Sequence, residues 1–386
     1  MGQLFPKELL NQVIGVRHEY FRNFTVSHPA FDEAYDDLID RINNGSKNSI
    51  ILVFGPAGAG KSKLIEKVQE KLLTDNIGFY QKNRGLLPIL NVEAIPPDSG
   101  SFDWKDFYYR CLEAAEEPLI DYKMDVEIEV DSKKLKNDGK AALRRSLENV
   151  LIFRKPLAFF IDEAQHISMT TNSRNLRNQI NILKSLANLT NVPIVLTGNY
   201  DLITYRDLNG QTIRRGKDVH VKRYQANNKE DLKSFINVLL AFQQHLPLEN
   251  EPDLISNWDY FYSRCVGCIG ILKDWLYLTY QVVTRNNPDI KTLTIEDFRC
   301  HELSPGRSLK LLKEASEGER KYNASVNQED ELYIQLGFIE KTDNLDVTEA
   351  EKEIKSEKGI RKKNNKPGER NPHRDEVGFG KSSEAL

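Results

Sequence analysis

The sequence predicts an α/β fold: a parallel sheet flanked by helices, then a small all-helical domain, then a tail that is disordered when free. Three observations predict it. The stretch "GPAGAGKS", Gly55 to Ser62, sits between the apolar run "SIILVF" and the helical pattern "KLIEKVQEKLL". Apolar runs alternate with amphipathic stretches as far as residue 223, the pattern of a parallel sheet covered on both faces. Beyond it, three helical patterns follow one another without a strand, and from about Ala324 charged residues replace apolar ones.

The elements follow in order. Residues 1–30, with "VRHEYFRNFTVSHPAF", read as an N-terminal arm carrying a short helix. Residues 31–223 form the α/β core. It opens on a helix with Phe31, Tyr35, Leu38 and Ile42 on one face, and "SIILVF" is its first buried strand. A helix to about Leu73 follows, then the strand "LLPILNVEA", the amphipathic helix "SFDWKDFYYRCLEAA" and a charged stretch from Asp125. "PLAFFIDEA" is a strand, "LRNQINILKSLANL" a helix and "VPIVLTG" a further strand. Residues 224–303 hold the helices "NKEDLKSFINVLLAFQQHLPL", "LISNWDYFYSRC" and "GILKDWLYLTYQVV". Residues 304–386 form a C-terminal extension, with one more helix in "SLKLLKEASEGERKY" and then a stretch too poor in apolar residues to offset the entropy of ordering.

Bulk composition excludes several classes. The chain has 386 residues, enough for more than one domain, with 39% hydrophobic and 29% charged residues. No apolar run approaches the roughly 20 residues of a membrane span. The N-terminus lacks the apolar core of a signal peptide, and "MGQLFP" places Pro6 where a myristoylation site needs Ser or Thr. A cytoplasmic protein is the expectation. The net charge of -3 decides nothing about nucleic acid, because local patches do. Four cysteines in so long a chain do not make a disulfide framework. Cys265, Cys268, Cys300 and His301 are a conceivable zinc set, but the first pair lies in an apolar helical pattern where buried thiols are ordinary.

The chemistry starts at the glycine loop. G-x-x-x-x-G-K-[ST] holds a triphosphate because its glycines let successive backbone N–H groups point at phosphate oxygens. Gly55, Pro56, Ala57, Gly58, Ala59, Gly60, Lys61, Ser62 and Lys63 are therefore nucleotide-binding candidates for ATP, with Lys61 reaching the β- and γ-phosphates. The following helix presents its positive end to the anion. Ser62 and Asp162 are the expected Mg²⁺ ligands, and Glu163 the base that polarises the attacking water. Asn199, ending the next strand, could bond both γ-phosphate and water, or be a turn asparagine. Arg214 and Arg215 suit a finger that completes a neighbouring subunit's site, which requires a ring or filament, or else two solvated basic residues. Lys273, in the helical domain, could reach the phosphates or stay on the surface.

Glycine loop, Asp-Glu strand, Asn-ended strand, double arginine and helical lid follow the order of an AAA+ P-loop ATPase. More narrowly, "GPAGAGKS", "FFIDEAQHI", "PIVLTGNYDL", "IRRGKDVHVKRY" and "GCIGILKDWL" resemble the TnsC/TniB family of transposition regulators over roughly residues 15–300. The resemblance implies an adaptor that assembles with ATP on duplex target DNA, recruits a transposase, marks the insertion site chosen by a separate targeting protein, and disassembles on hydrolysis. Some such regulators serve CRISPR-associated transposons. It also implies backbone contacts to DNA from basic side chains after the second strand. By location these are Lys105, Arg110, Lys133, Lys134 and Lys136. The tail, with "KKNNKPGERNPHRDEVG", is the segment the resemblance assigns to the transposase.

Two other classes share the ATPase core. A helicase loader or replication initiator is one, although initiators usually add a DNA-binding domain that is not evident after Leu303. A nucleotide-gated signalling ATPase without DNA is the other.

Overall fold

Alternation within the strands decides which helix lies on which face. The structure, a computed structural model, describes residues 3–97, 101–121, 128–130, 133–135, 139–168, 173–207 and 218–326. In chain order the core holds α1 (Ile14–Asn23), α2 (Pro29–Asn44), β1 (Ile50–Phe54), α3 (Lys61–Lys82), β2 (Ile89–Glu93) and α4 (Trp104–Ala114). A hairpin of β3 (Ile128–Val130) and β4 (Lys133–Leu135) precedes α5 (Gly139–Arg154), β5 (Ala158–Asp162) and α6 (Ser173–Thr190). Then come β6 (Ile194–Gly198), α7 (Ile203–Asp207) and β7 (Val219–His220).

The five main strands pair in parallel in the order β2-β5-β6-β1-β7. All five residues of β1 and of β6 are buried, as central strands covered on both faces require. The edge strand β2 alternates instead, with Leu90 and Val92 inside and Asn91 and Glu93 out. Ile50, Leu52 and Phe54 of β1 pack with Phe159 and Ile161 of β5 against α4, α5 and α6. Their neighbours Ile51, Val53, Ala158 and Phe160 face the other way, against Leu38 and Ile42 of α2 and Leu64, Val68 and Leu72 of α3.

Beyond Arg223 the described chain is helical: α8 (Lys229–His245), α9 (Trp258–Cys265), α10 (Ile269–Asn286), α11 (Ile295–Arg299) and α12 (Pro305–Val326). Local signals start these helices. Asn228 caps α8 by accepting from the N–H groups of Glu230 and Asp231, and Thr294 and Asp297 form a capping box on α11. Their core gathers Phe235, Phe242, Phe261, Trp275, Leu276, Tyr280 and Phe298.

The N-terminal residues differ from a free arm. Phe21 of α1 is fully buried in the helical cluster, edge-on to Phe242 and Tyr280. His18 bonds Thr284 at 2.7 Å, and His28 bonds the Tyr224 hydroxyl at 2.8 Å. Aromatic spacing identified the helix, but nothing local says which surface it covers. Helix α3 also runs nine residues past Leu73. It continues through Asn76 and Gly78 without a proline to stop it, and its outer turns leave Ile77 and Phe79 exposed. The two-residue β7 was too short to announce itself by periodicity.

Helix α12 ties the two parts together. Its Glu319 makes a two-pronged ion pair with Arg223, at 2.7 and 3.0 Å, and Gln225 donates to the same carboxylate at 3.3 Å. Both partners are about a tenth exposed. Tyr322 packs on Phe54 at the end of β1 and on His220 of β7. Removing one member of such a pair leaves the other buried and uncompensated. Glu319→Ala should therefore cost about 3–5 kcal/mol of unfolding free energy, measured by urea titration; a loss below about 1 kcal/mol would show that the pair acts as a surface pair.

Candidate functional site

The loop between β1 and α3 takes its shape from glycines. Gly58 and Gly60 have φ of 72° and 97°, in the left-handed region where a Cβ is strained. Gly60 is the N-cap of α3, so the first turn of that helix opens into the loop. The Lys61 ammonium lies back across the loop, donating to the carbonyls of Gly55 and Pro56 at 3.0 and 2.9 Å. Burial lowers its pKa, while the carboxylates of Glu163 and Asp162 act the other way.

Parallel pairing brings the other groups to the same sheet edge. Asp162 ends β5, and its Oδ1 accepts from the N–H of Glu163 at 2.9 Å. Burial raises its pKa, partly offset by that bond. Glu163 itself has φ of 49°, a left-handed conformation that costs a non-glycine residue about 1–3 kcal/mol and turns the chain sharply off the strand. Asn199 follows β6. Its Oδ1 accepts from the N–H of Asp201 at 2.9 Å, so the side-chain N–H₂ is what it can offer a phosphate.

A cavity of about 580 Å³ joins these residues to the helical cluster. Residues Ala57 to Lys63, Asp162, Glu163 and Asn199 line one side. Phe24, Val26 and His28 from the N-terminal segment and Ile269, Gly270 and Lys273 from α10 line the other. Burial pulls the pKa of His28 down to about 4, so it is neutral at physiological pH. The two sides touch directly: the N–H of Gly270 donates to the carbonyl of Gly58 at 2.8 Å. A Cβ on Gly270 would collide with that carbonyl, so glycine is what permits the approach.

Lys273 lines the cavity with the glycine loop, but its ammonium is turned to α1. Its ammonium donates to the carbonyl of Phe21, 3.5 Å from the centre of the Phe21 ring and 5.1 Å from that of Phe242. The aromatic faces and the carbonyl hold it against α1 instead of aiming it at the glycine loop. Lys105 is exposed on α4, and Arg110 is held by Asp106 at 2.6 Å beside Glu93 and Asp103, which reduces its positive field. Lys133 and Lys134 belong to β4, but their side chains lie outside the described residues. Lys136, Arg214 and Arg215 lie there too.

The donors suit magnesium. Ser62 and Asp162 offer hard oxygen atoms on one cavity wall, and a cation held by few protein oxygens leaves the remaining positions for phosphate and water. Among the described residues no group of three or more His, Cys, Asp or Glu could hold a metal ion. Cys265 and Cys268 are buried free thiols whose pKa values burial raises, the second to about 12, while Cys300 is exposed.

Residues 43–205 match the family model of an AAA domain. The fold is that of an AAA P-loop ATPase. No curated protein matches the chain. Among solved structures it is similar to the Walker-type ATPase PABY2304 of Pyrococcus abyssi, at 16% identity and TM-score 0.41 over 77% of this chain and 75% of that one. It is also similar to the ORC2 protein of Aeropyrum pernix in ADPNP-ADP complexes, at 12% identity and TM-score 0.43 over 76% and 71%. Domain III of the Thermotoga maritima replication initiation protein DnaA matches at 13% and 0.39 over 76% and 95%. At such scores none of the three bears on what this chain binds.

Sequence reasoning missed the N-terminal wall, because "RNFTVSHPAF" carries no ligand motif, and it gave Gln165 no role. Gln165 lines the cavity beside Glu163. Lys273 supplies a pH test. Its pKa falls to about 7, chiefly by burial, against 10.5 when free. Between those values the unfolded chain binds more protons than the folded one, so stability rises with pH, by up to about 1.4 kcal/mol per pH unit. Lys273→Met should remove that slope; equal slopes in denaturant titrations of the two proteins at pH 7.5 and 9.5 would mean that the ammonium is solvated.

Proposed function

We propose that the chain binds ATP with Mg²⁺, hydrolyses it, and uses the cycle to control its own assembly on duplex DNA as a transposition regulator. The observation that supports ATP chemistry is the convergence of Lys61, Ser62, Asp162, Glu163 and Asn199 on one cavity. Triphosphate entering the loop meets backbone N–H groups at the start of α3 and displaces the Lys61 ammonium from the Gly55 and Pro56 carbonyls. Ser62 and Asp162 would hold Mg²⁺, which would supply neutralisation of the triphosphate charge. Glu163 accepts the proton of the water that attacks the γ-phosphorus, the bond to the β,γ-bridging oxygen breaks, and ADP and phosphate leave. The Asn199 amide donates to the γ-phosphate and so distinguishes the two states.

The regulator reading is supported by the motifs "FFIDEAQHI", "PIVLTGNYDL" and "GCIGILKDWL", which resemble the TnsC/TniB family. In this reading Arg214 or Arg215 completes the site of a neighbouring subunit. Lys105, Arg110, Lys133, Lys134 and Lys136 follow the DNA backbone, a targeting protein chooses the site, and the tail with "KKNNKPGERNPHRDEVG" engages the transposase. The helices of residues 224–303 act as a lid, since Gly270 already meets the glycine loop. Among the described residues no helix is long and apolar enough to cross a membrane.

Glu163→Gln should lower kcat for ATP at least about 100-fold while preserving ATP binding, read by phosphate release and by equilibrium binding; ordinary turnover would remove the base assignment. Electron microscopy with duplex DNA and a non-hydrolysable ATP analogue should show rings or filaments around DNA that vanish without nucleotide. Retention on DNA should also fall steeply between about 50 and 200 mM salt. Particles that ignore DNA under all these conditions would leave only the ATPase.

A further inference from the structure

One side chain joins the candidate base to the neighbouring strand. Gln165 lies in the short 3₁₀ turn Ala164–Ser168 that follows β5 and is 7% exposed. Its amide Nε2 donates to Oε2 of Glu163, and its Oε1 accepts from the backbone N–H of Asn199 at 3.2 Å. The two contacts use opposite ends of one amide, which fixes its orientation: the N–H₂ end must face the carboxylate and the oxygen must face the N–H. The turn that carries it is anchored. The Tyr205 hydroxyl donates to the Ala164 carbonyl at 3.1 Å, the Ser168 hydroxyl to the Gln165 carbonyl at 2.6 Å, and the His166 N–H to the Glu163 carbonyl at 3.0 Å.

The adjacent strand makes room for this bridge. Gly198 ends β6, and a Cβ built on it would overlap the Gln165 amide oxygen. Its backbone is not in the left-handed region, so what glycine provides there is the space that the amide occupies. Two neighbouring strands therefore lead into the same device: the turn after β5 supplies Glu163 and Gln165, and the end of β6 supplies the clearance at Gly198 and, just beyond it, the N–H of Asn199.

We infer that Gln165 is a positioning residue for hydrolysis, fixing the rotamer of the Glu163 carboxylate and indexing it to the Asn199 end of β6. This rests on Glu163 being the base, as proposed above. With Oε2 committed to the Gln165 amide, Oε1 is the oxygen left to accept the proton of the attacking water. A shift of the γ-phosphate that moves Asn199 is transmitted to the base through two hydrogen bonds and no flexible segment. Loss of the amide leaves the nucleotide grip in place and frees the carboxylate to rotate.

The test compares full-length wild type, Gln165→Ala, Gln165→Glu, Gly198→Ala and Glu163→Gln in ATP turnover, with ATP affinity and melting temperature measured alongside. Gln165→Ala should lower kcat about 10- to 100-fold, with KM within about twofold. Gly198→Ala should do the same from the other strand by displacing the amide. Gln165→Glu sets a second carboxylate against Glu163, which makes its deprotonation harder. The acidic limb of the kcat–pH profile should then move to higher pH, a response that a space-filling role would not produce. In the Glu163→Gln background, Gln165→Ala should cost nothing further. If Glu163→Gln is inactive while the other variants keep wild-type kcat and pH profile, the positioning role is wrong and the base stands. A Gln165→Ala defect confined to KM and melting temperature also overturns it, by making the residue structural. If Glu163→Gln turns over normally, the base assignment fails, whatever Gln165 does. Should Gln165→Ala fail to fold, Gln165→Glu and Gly198→Ala decide.

Discussion

The parallel pairing of β1, β6 and β5 is the constraint on which the site depends. Phe54 lies beside Gly198, and Ile161 beside Leu196, so the three strands end at nearly the same level. Whatever follows each strand must therefore emerge at one edge. The glycine loop follows β1, Asn199 follows β6, and Glu163 follows β5. Residues more than 100 positions apart meet in this register, and a one-residue slip would turn buried side chains such as Val53 and Val195 to the opposite face.

This constraint explains how far the sequence could be read. The strands were legible because central parallel strands are continuous apolar runs, and "SIILVF" and "LAFFID" are both. The loop was legible because its chemistry imposes a fixed spacing, and Asp162, Glu163 and Asn199 were legible because they sit where such strands end. What could not be read are contacts between segments with no shared local rule. Phe21 looks like any aromatic residue on a short helix, yet it fills the helical cluster and its carbonyl takes the Lys273 ammonium. The spacing of Lys273 within "GILKDWL" predicts a residue one or two turns into the helix, and it lies one turn into α10. Its direction is set by rings from Phe21 and Phe242, which no pattern within α10 encodes.

Gln165 is a different case. The sequence displays it inside "DEAQHI", two residues after the candidate base, with nothing local to give it a role. Its meaning depends on Gly198, on another strand, which is legible only once the two strands are known to be neighbours. A glycine at the end of a buried strand is ordinarily a weak signal. Here it is the complement of a particular side chain.

Electrostatics then connects the two walls of the cavity. Lys61 and Lys273 are both buried ammonium groups, and both donate to backbone carbonyls instead of to carboxylates. Burial lowers both pKa values, so each charge is held at a cost in this state. A polyanion in the cavity reduces that cost for Lys61 directly, since its hydrogen bonds here go to carbonyls and the Glu163 and Asp162 carboxylates offset the burial only in part. For Lys273 the benefit requires leaving the Phe21 carbonyl and the aromatic faces, which would loosen α1 from α10. The N-terminal segment also lines the cavity through Phe24, Val26 and His28, so both lysines and this segment border the space that the glycine loop opens into.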